Sequence, residues 1–150
     1  MNKILISIED SKTRLDASRV ENFARMVLEK IGIDGWEISL LFCSDDQIAV
    51  YNKEYRKKEG PTDVLSFSQE GFLEKNNEQM YYAGDIVISM DSVKRNSHEY
   101  NVSDNEEVKR VLIHGILHLN GHTHESANSD EPMIVLQEKL LDSLQGVELF

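Results

Sequence analysis

Residues 111–124 read VLIHGILHLNGHTH, and this stretch predicts the central helix around which the rest of the fold is arranged. Up to residue 119 the positions between the histidines are aliphatic or glycine on nearly every side of a helical wheel, which is typical of a helix buried in the middle of a domain. Asn120 and Gly121 form a common C-terminal helix stop. We therefore expect a central helix that carries two histidines and ends in a sharp turn.

The two helical histidines, His114 and His118, stand four residues apart. Residues at this spacing share one helix face, so both imidazoles can bind one metal ion at about 2.0 to 2.1 Å. A third ligand must approach from another direction, and Gly121 allows the turn that brings His124 back toward the ion. The spacing predicts a one-ion, zinc-type site of His114, His118 and His124, with nickel or another borderline divalent ion as the alternative metal.

The simpler alternative is a set of unrelated surface or core histidines. Four of the five histidines lie within eleven residues, and two of them interrupt an aliphatic helix, where an unpartnered polar ring is costly to bury. The clustering favours the metal site. His122 also follows His118 by four residues, but the helix stop lies between them, so His124 is the preferred third ligand.

The pattern on either side of the central helix predicts the fold class. Strands are expected at residues 3–9, 36–43, 64–67 and 85–89, and helices at 16–31, after Ser44, from Met90 onward and after Pro132. The polar segment 68–83 predicts a long hairpin or loop. The expected fold is α+β (mixed α/β): a single domain over residues 1–150, with an about four-stranded mixed sheet packed with helices around the central metal-bearing helix.

Composition limits the classes of protein that fit this sequence. With 40% hydrophobic and 29% charged residues the chain is typical of a globular domain. Cys43 is the only cysteine, so no internal disulfide can form, and a buried thiol is expected. No apolar run approaches membrane-spanning length, which predicts a cytoplasmic protein without a membrane partner. The net charge of −11 repels polyanions at long range.

The histidine pattern is similar to that of the metzincin proteases, which carry HExxHxxGxxH. Those enzymes use the glutamate after the first histidine as the general base, and Gly115 occupies that position here. Glu125, next to the third histidine, is the acid that could serve as the base instead, but it stands at a different position in the motif. The missing base makes a peptidase the weaker of the hydrolase hypotheses.

A closer resemblance is to the YbeY family of bacterial endoribonucleases, whose metal motif HGxLHLxGxxH stands here at residues 114–124. Two further segments resemble signatures of that family in the expected order, and the three together cover roughly half of the chain. These segments are Asn52, Tyr55 and Arg56 followed by PTDVLSF at 61–67, and Gly84, Asp85 and Ile86.

The resemblance implies a zinc-dependent endoribonuclease specific for single strands, acting in ribosomal RNA processing and ribosome quality control. Its partners would be single-stranded RNA, above all ribosomal RNA, and the ribosome or ribosomal proteins. Three neutral imidazoles leave the ion its full charge, so a metal-bound water can ionise near neutral pH and attack a phosphodiester. The expected catalytic residues are His114 and Arg56, whose guanidinium would hold the phosphate. Arg56, Lys57, Ser66 and Phe67 are the expected substrate-binding residues.

Two other functions stay open at this point. One is a metal-dependent hydrolase of another class, such as a peptidase, and the other is a noncatalytic protein whose metal is structural and closed by a fourth protein ligand. The acidic balance is a further constraint, since phosphate contacts need a positive surface. RNA would then engage only a local basic groove at residues 53–58, or the ribosome would supply much of the docking surface. Asp63 and Asp85 are expected to cap turns or orient neighbouring groups.

Overall fold

The computed structural model describes residues 1–69, 71–75, 78–123, 128 and 131–150. The strands in this part of the chain are β1 (Lys3–Ile8), β2 (Trp36–Cys43), β3 (Val64–Ser68), β4 (Phe72–Lys75) and β5 (Glu78–Ser89). The helices are α1 (Ala17–Lys30), α2 (Asp45–Arg56), α3 (Met90–Tyr100), α4 (Asp104–Leu119) and α5 (Pro132–Ser143). The mixed α/β class expected from the sequence is confirmed.

The described strands form one mixed sheet in the order β1-β2-β5-β3. β1 and β5 both run parallel to β2, and β3 runs antiparallel to β5. These are the four strands that the sequence predicts. A fifth, β4, pairs antiparallel with the start of β5, so the predicted long hairpin or loop at 68–83 contains hairpin-type pairing. β5 consequently begins earlier than the sequence indicates.

The two faces of the sheet are covered unequally. Side chains along a strand alternate between faces, and Phe42 and Ile86 join the large core beneath the helices α1, α3, α4 and α5. Their neighbours Cys43 and Val87 face the other way and pack with Ile48 of α2 in a smaller cluster. The second face is therefore covered by α2 at one end, beside Cys43 and Val87.

α4 is the central helix that the sequence predicts. It contacts β3 and β5 of the sheet and is flanked by α1, α3 and α5. The hydroxyl of Ser103 accepts a hydrogen bond from the Glu106 amide at 3.0 Å and caps the first turn. At the other end the chain leaves the helix after Leu119, and Gly121 has a φ of +86°, a conformation that glycine adopts without strain.

Cys43 is fully buried at the end of β2, as the sequence analysis expects. Burial, together with the nearby carboxylate of Glu9, raises the pKa of its thiol to about 11. The side chain is therefore an inert part of the smaller cluster at neutral pH.

In the described ranges, none of the helices combines the length and the apolar character that crossing a bilayer requires.

Candidate metal centre and catalytic cleft

His114 and His118 lie on one face of α4 with their rings directed at each other's edge. Their Nε2 atoms are 3.0 Å apart, the ring centroids are 4.6 Å apart, and the planes cross at 77°. The spacing of four residues on a regular helix produces this convergence. The structure thus brings together the first two members of the predicted ligand set.

The other nitrogen of each ring contacts an oxygen. His114 Nδ1 lies 2.6 Å from Oε1 of Gln137, and His118 Nδ1 lies 3.0 Å from the backbone oxygen of His122. An amide or carbonyl oxygen only accepts, so each Nδ1 carries a proton, and in the neutral imidazole each Nε2 then presents its lone pair. The Gln137 amide is itself oriented, since its Nε2 donates to Glu138 at 3.2 Å.

This donor set fits a borderline divalent metal. The two Nε2 atoms are 3.0 Å apart, close to the separation of about 3.3 Å that two nitrogens have on a tetrahedral zinc ion. Within the ranges that the structure describes, no group of three or more His, Cys, Asp or Glu side chains is arranged to hold a metal. The predicted third ligand, His124, lies outside the described residues, as does Glu125.

His122 contributes its backbone to the site. Its amide donates to the Leu117 oxygen at 3.0 Å, and its own oxygen meets the His118 ring. The helix stop at Asn120 and Gly121 lies before it, as the sequence predicts, so His122 does not follow His118 on the helix face. The turn therefore orients His118 through a carbonyl oxygen, which the sequence pattern did not indicate.

Gly115 faces the sheet at very short range. A Cβ at this position would lie 2.8 Å from Cγ2 of Ile86 and 3.4 Å from Oγ of Ser66, closer than side chains normally approach in the first case. Glycine is needed here because α4 packs directly on β5 and β3. A glutamate base of the metzincin type would not fit between the helix and the sheet.

A cleft of about 410 Å³ opens beside the two histidines. Its walls come from α4 on one side and from α2, the loop after it and β3 on the other. The lining residues are Asn52, Arg56, Lys58, Thr62, Val64, Leu65, Ser66, Ser68, His114 and His118. The cleft joins the two histidine rings to the basic end of α2.

Arg56 ends α2 and is fastened to the edge of β3. Its Nη2 donates to the Ser66 backbone oxygen at 2.6 Å, and its guanidinium carbon lies 5.7 Å from the centre of the Phe67 ring. Asn52, one turn earlier, is buried and donates to the Gly60 oxygen at 2.9 Å, which folds the loop after α2 back onto the helix. These contacts hold Arg56 in the wall of the cleft.

The other expected substrate residues lie in different places. Lys57 has a left-handed backbone with φ of 57° and donates from Nζ to the Glu54 oxygen, whereas Lys58 lines the cleft. Ser66 and Phe67 alternate on β3: Ser66 lines the histidine cleft and donates to the Gly115 oxygen at 3.2 Å. Phe67 turns to the opposite face of the sheet, into the smaller cluster.

Asp63 and Asp85 are engaged in hydrogen bonds away from the two histidines. The carboxylate of Asp63 accepts from Asn96 at 3.3 Å. The carboxylate of Asp85 accepts from the Tyr82 hydroxyl at 2.6 Å and from Gln69 at 2.9 Å. Both carboxylates thus hold neighbouring polar side chains in place.

Gln137 is the site residue that sequence reasoning missed. It is buried on α5, on the same helix face as Met133, Leu140 and Leu144. A polar residue within an apolar stripe is the signal that could have identified it, because a buried amide needs a partner. Its position on α5 could not be related to His114 from spacing alone.

An ion-pair network stands behind Gln137. Arg110 donates to Glu107 at 3.0 Å and to Glu138 at 3.1 Å. Burial raises the pKa of Glu107, and the hydrogen bond from Arg110 offsets only part of that effect. Burial also acts to raise the pKa of Glu138, but hydrogen bonds from Arg110 and Gln137 outweigh it and lower the pKa overall. The network fixes α5 against α4 and so fixes Gln137.

Comparisons with known proteins agree on one family. A family model described as "Endoribonuclease YbeY" matches residues 5–145. A Treponema denticola protein named "Endoribonuclease YbeY" is 44% identical over 99% of this chain and 97% of its own length. One of the same name from Aquifex aeolicus is 38% identical over 87% of this chain and 83% of its own length. A Thermotoga maritima protein solved in solution superposes with a TM-score of 0.61 at 29% identity, over 95% of this chain and 87% of that one.

Proposed function

Because the chain belongs to the family of YbeY endoribonucleases, we propose that it cleaves single-stranded RNA in ribosomal RNA processing and ribosome quality control. One observation carries the proposal: the convergent Nε2 atoms of His114 and His118 and the guanidinium of Arg56 line the same cleft. A metal site and a fixed cation on opposite walls suit a phosphodiester, which is anionic and needs its developing charge neutralised.

The metal would be held by His114, His118 and His124, and zinc is the ion that a neutral three-histidine set suits best. When bound, such an ion supplies Lewis acidity and activates water. The contacts of Gln137 and of the His122 oxygen hold both imidazoles in the tautomer that a metal requires. His114 therefore serves the reaction as a ligand held in place by Gln137.

Arg56 would bind the scissile phosphate. A guanidinium carries five N–H donors, and the hydrogen bond to Ser66 anchors it through one of them. Held in this way, the side chain can present a planar pair of donors to two phosphate oxygens without first being ordered by the substrate. Lys58, in the same wall, adds a second positive charge.

The positive charges at the cleft explain how an acidic protein could still bind RNA. With a net charge of −11 the surface repels RNA at long range, so productive binding depends on the few cations at the cleft. We propose that the ribosome or its proteins supply further docking surface in the cytoplasm. This would restrict the enzyme to RNA presented in a ribosomal context.

The peptidase alternative is disfavoured by the surroundings of Gly115. Its position against Ile86 leaves no room for the glutamate that HExxH peptidases use as a base. The structural-metal alternative calls for an enclosed site with four protein ligands, whereas both histidines line an open cleft next to Arg56.

The test is a cleavage assay on labelled single-stranded RNA, with zinc-loaded and metal-stripped protein and the variants Arg56→Ala and His114→Ala. We expect stripping and His114→Ala to abolish cleavage. Arg56→Ala should lower kcat/KM by about 100-fold or more, as the loss of one charge-stabilising donor does in other enzymes. Lys30→Ala, which removes an exposed positive charge on α1, is the matched control and should cleave normally.

Two results would contradict the proposal. Cleavage by nuclease-free protein that survives both metal removal and Arg56→Ala would show that neither the metal nor Arg56 takes part in the reaction. Full zinc content in His114→Ala and His124→Ala, measured by elemental analysis, would show that the ligand set is wrong. A parallel assay on peptide substrates, in which we expect no cleavage, addresses the peptidase alternative.

A further inference from the structure

A second cleft, of about 600 Å³, lies on the face of the sheet that α2 covers at one end. Its floor is formed by β1, β2 and β5, with apolar residues such as Leu41 and Val87 beside the polar residues Ser39 and Asp85. Tyr51 and Tyr55 of α2 form part of its wall. The proposed cleavage chemistry makes no use of this cleft.

The wall is an aromatic cluster that we call the aromatic ridge: Tyr51, Tyr55 and Phe67. The Tyr51 and Tyr55 rings lie 6.3 Å apart at an interplanar angle of 20°. Tyr55 also meets Phe67 edge-on, with centroids 5.4 Å apart. Tyr55 nevertheless remains 59% exposed. The ridge therefore presents an ordered aromatic surface to a ligand.

The aromatic ridge adjoins the cleft beside His114 and His118. The guanidinium of Arg56 lies over the Phe67 ring at 5.7 Å, and Ser68 lines both clefts. Arg56 and Tyr55 are adjacent in the chain at the end of α2. A phosphate on Arg56 would thus place the attached nucleoside next to the ridge.

The polar groups of the second cleft suit a base better than a phosphate. Ser39 and Asp85 line the cleft, and the Tyr82 hydroxyl, which is not part of the lining, lies 3.3 Å from the Ser39 hydroxyl and donates to Asp85 at 2.6 Å. Hydroxyl and carboxylate groups at the floor can pair with the donors and acceptors on a base edge. The carboxylates of Asp85 and Glu9, which also line the cleft, would repel a phosphate.

We propose that this cleft binds the base of the nucleotide next to the scissile phosphodiester, with the base stacked on Tyr55 while Arg56 holds the phosphate. The inference rests on the proposed RNA cleavage and adds the substrate's base as a recognised group. Stacking on an aromatic side chain requires an unpaired base. The aromatic ridge therefore gives a physical basis for selecting single strands.

The test combines protein and RNA changes. Binding of zinc-loaded protein to a short fluorescent single-stranded RNA is measured by anisotropy in the cold, with the RNA checked for integrity, for wild type, Tyr55→Ala and Tyr55→Trp. We expect Tyr55→Ala to weaken binding by about 10-fold or more and Tyr55→Trp to retain it. An RNA that carries an abasic site at the cleavage position should bind wild type and Tyr55→Ala equally.

Tyr100→Ala is the matched control, because Tyr100 is 61% exposed on α3 and lines neither of the two clefts. It should bind RNA as wild type does, and thermal melting of all variants verifies that they are folded. Equal RNA affinity of Tyr55→Ala and wild type would overturn the inference. If Tyr55→Ala keeps its RNA affinity but loses binding to purified ribosomes, the inference is also overturned, and the cleft is a protein-docking surface.

The outcomes separate this inference from the proposed function. Wild type that cleaves RNA with no dependence on Tyr55 supports the function and removes the base site. Wild type that binds RNA through Tyr55 and the base but does not cleave it supports the base site and removes the function.

Discussion

Gln137, a residue on another helix, decides which ring nitrogen of His114 faces the cleft. Gln137 Oε1 accepts from His114 Nδ1, so the lone pair is on Nε2 beside His118. Spacing on α4 explains why the two rings are neighbours, but it leaves the tautomer of each ring undecided. At the scale of single residues, the site therefore depends on one hydrogen bond between α4 and α5.

Removal of that hydrogen bond should weaken binding of the proposed metal ion. In Gln137→Leu the buried volume is roughly kept, but His114 loses the acceptor that fixes its orientation, and we expect zinc affinity to fall by about 10-fold to 100-fold. Competition with a chromophoric zinc chelator measures the change. Gln145→Leu, an exposed position beyond α5, is the control. Unchanged zinc affinity in Gln137→Leu would show that Gln137 does not support the proposed metal site.

At the scale of elements, the contact between α4 and the sheet determines how deep the histidines lie. Gly115 brings the helix backbone against Ile86 of β5, and Ser66 of β3 donates to the Gly115 oxygen. The same β3 carries the backbone oxygen that anchors Arg56. Helix, strand and guanidinium are thus connected through one short segment of β3.

A methyl group at position 115 should disturb this contact. Alanine favours a helix over glycine by about 1 kcal/mol, but the methyl group would overpack a fully buried contact with Ile86, which typically costs about 1 to 3 kcal/mol. We expect Gly115→Ala to lower the urea midpoint with an unchanged m value. In the double variant with Ile86→Ala, the loss should be smaller than the sum of the single losses. Additive losses would show that the two positions do not meet.

At the scale of the whole molecule, a polar network around Asp45 joins α2, β5 and α3. The Asp45 carboxylate accepts from Ser89 and Ser92, both at 2.7 Å, and pairs with Arg95. Burial acts to raise the pKa of Asp45, but the hydrogen bonds from Arg95, Ser92 and Ser89 outweigh it, so the pKa is lowered overall. The ionised carboxylate is therefore the form that holds the three elements together.

This lowered pKa predicts a loss of stability in acid. A carboxyl group with a lowered folded-state pKa stabilises the fold above its unfolded value of about 3.9, and the stabilisation disappears as the pH falls through the folded-state pKa. Since Arg95 is 59% exposed, we expect Asp45→Asn to cost only about 1 kcal/mol at neutral pH.

Urea unfolding of wild type and Asp45→Asn from pH 7 to pH 3 measures the effect, and the two free energies of unfolding should converge toward the acid end. Asp46→Asn is the control, because it removes the same charge from an exposed position in the same helical turn. A difference that is constant across the whole pH range would rule out the linkage to Asp45.

Local chemistry determined much of this protein. Hydrophobic periodicity predicts the main helices and strands, the spacing of His114 and His118 places them on one helix face, and Gly121 ends α4. These features follow from the sequence because each depends on residues within one or two turns of one another. The alternation of strands and helices along the chain also favours parallel neighbours, as in the pairing of β1 with β2.

Only the tertiary structure decided which side chains from different elements meet. The Gln137 contact with His114, the anchoring of Arg56 on β3 and the turn of Phe67 away from the histidine cleft depend on strand order and helix packing. The role of Gly115 is also decided by the tertiary structure. In the sequence it only marks the absence of a glutamate base, whereas in the fold it allows the close approach of α4 to the sheet. Periodicity fixes the face on which a residue lies, and long-range packing fixes what that face contacts.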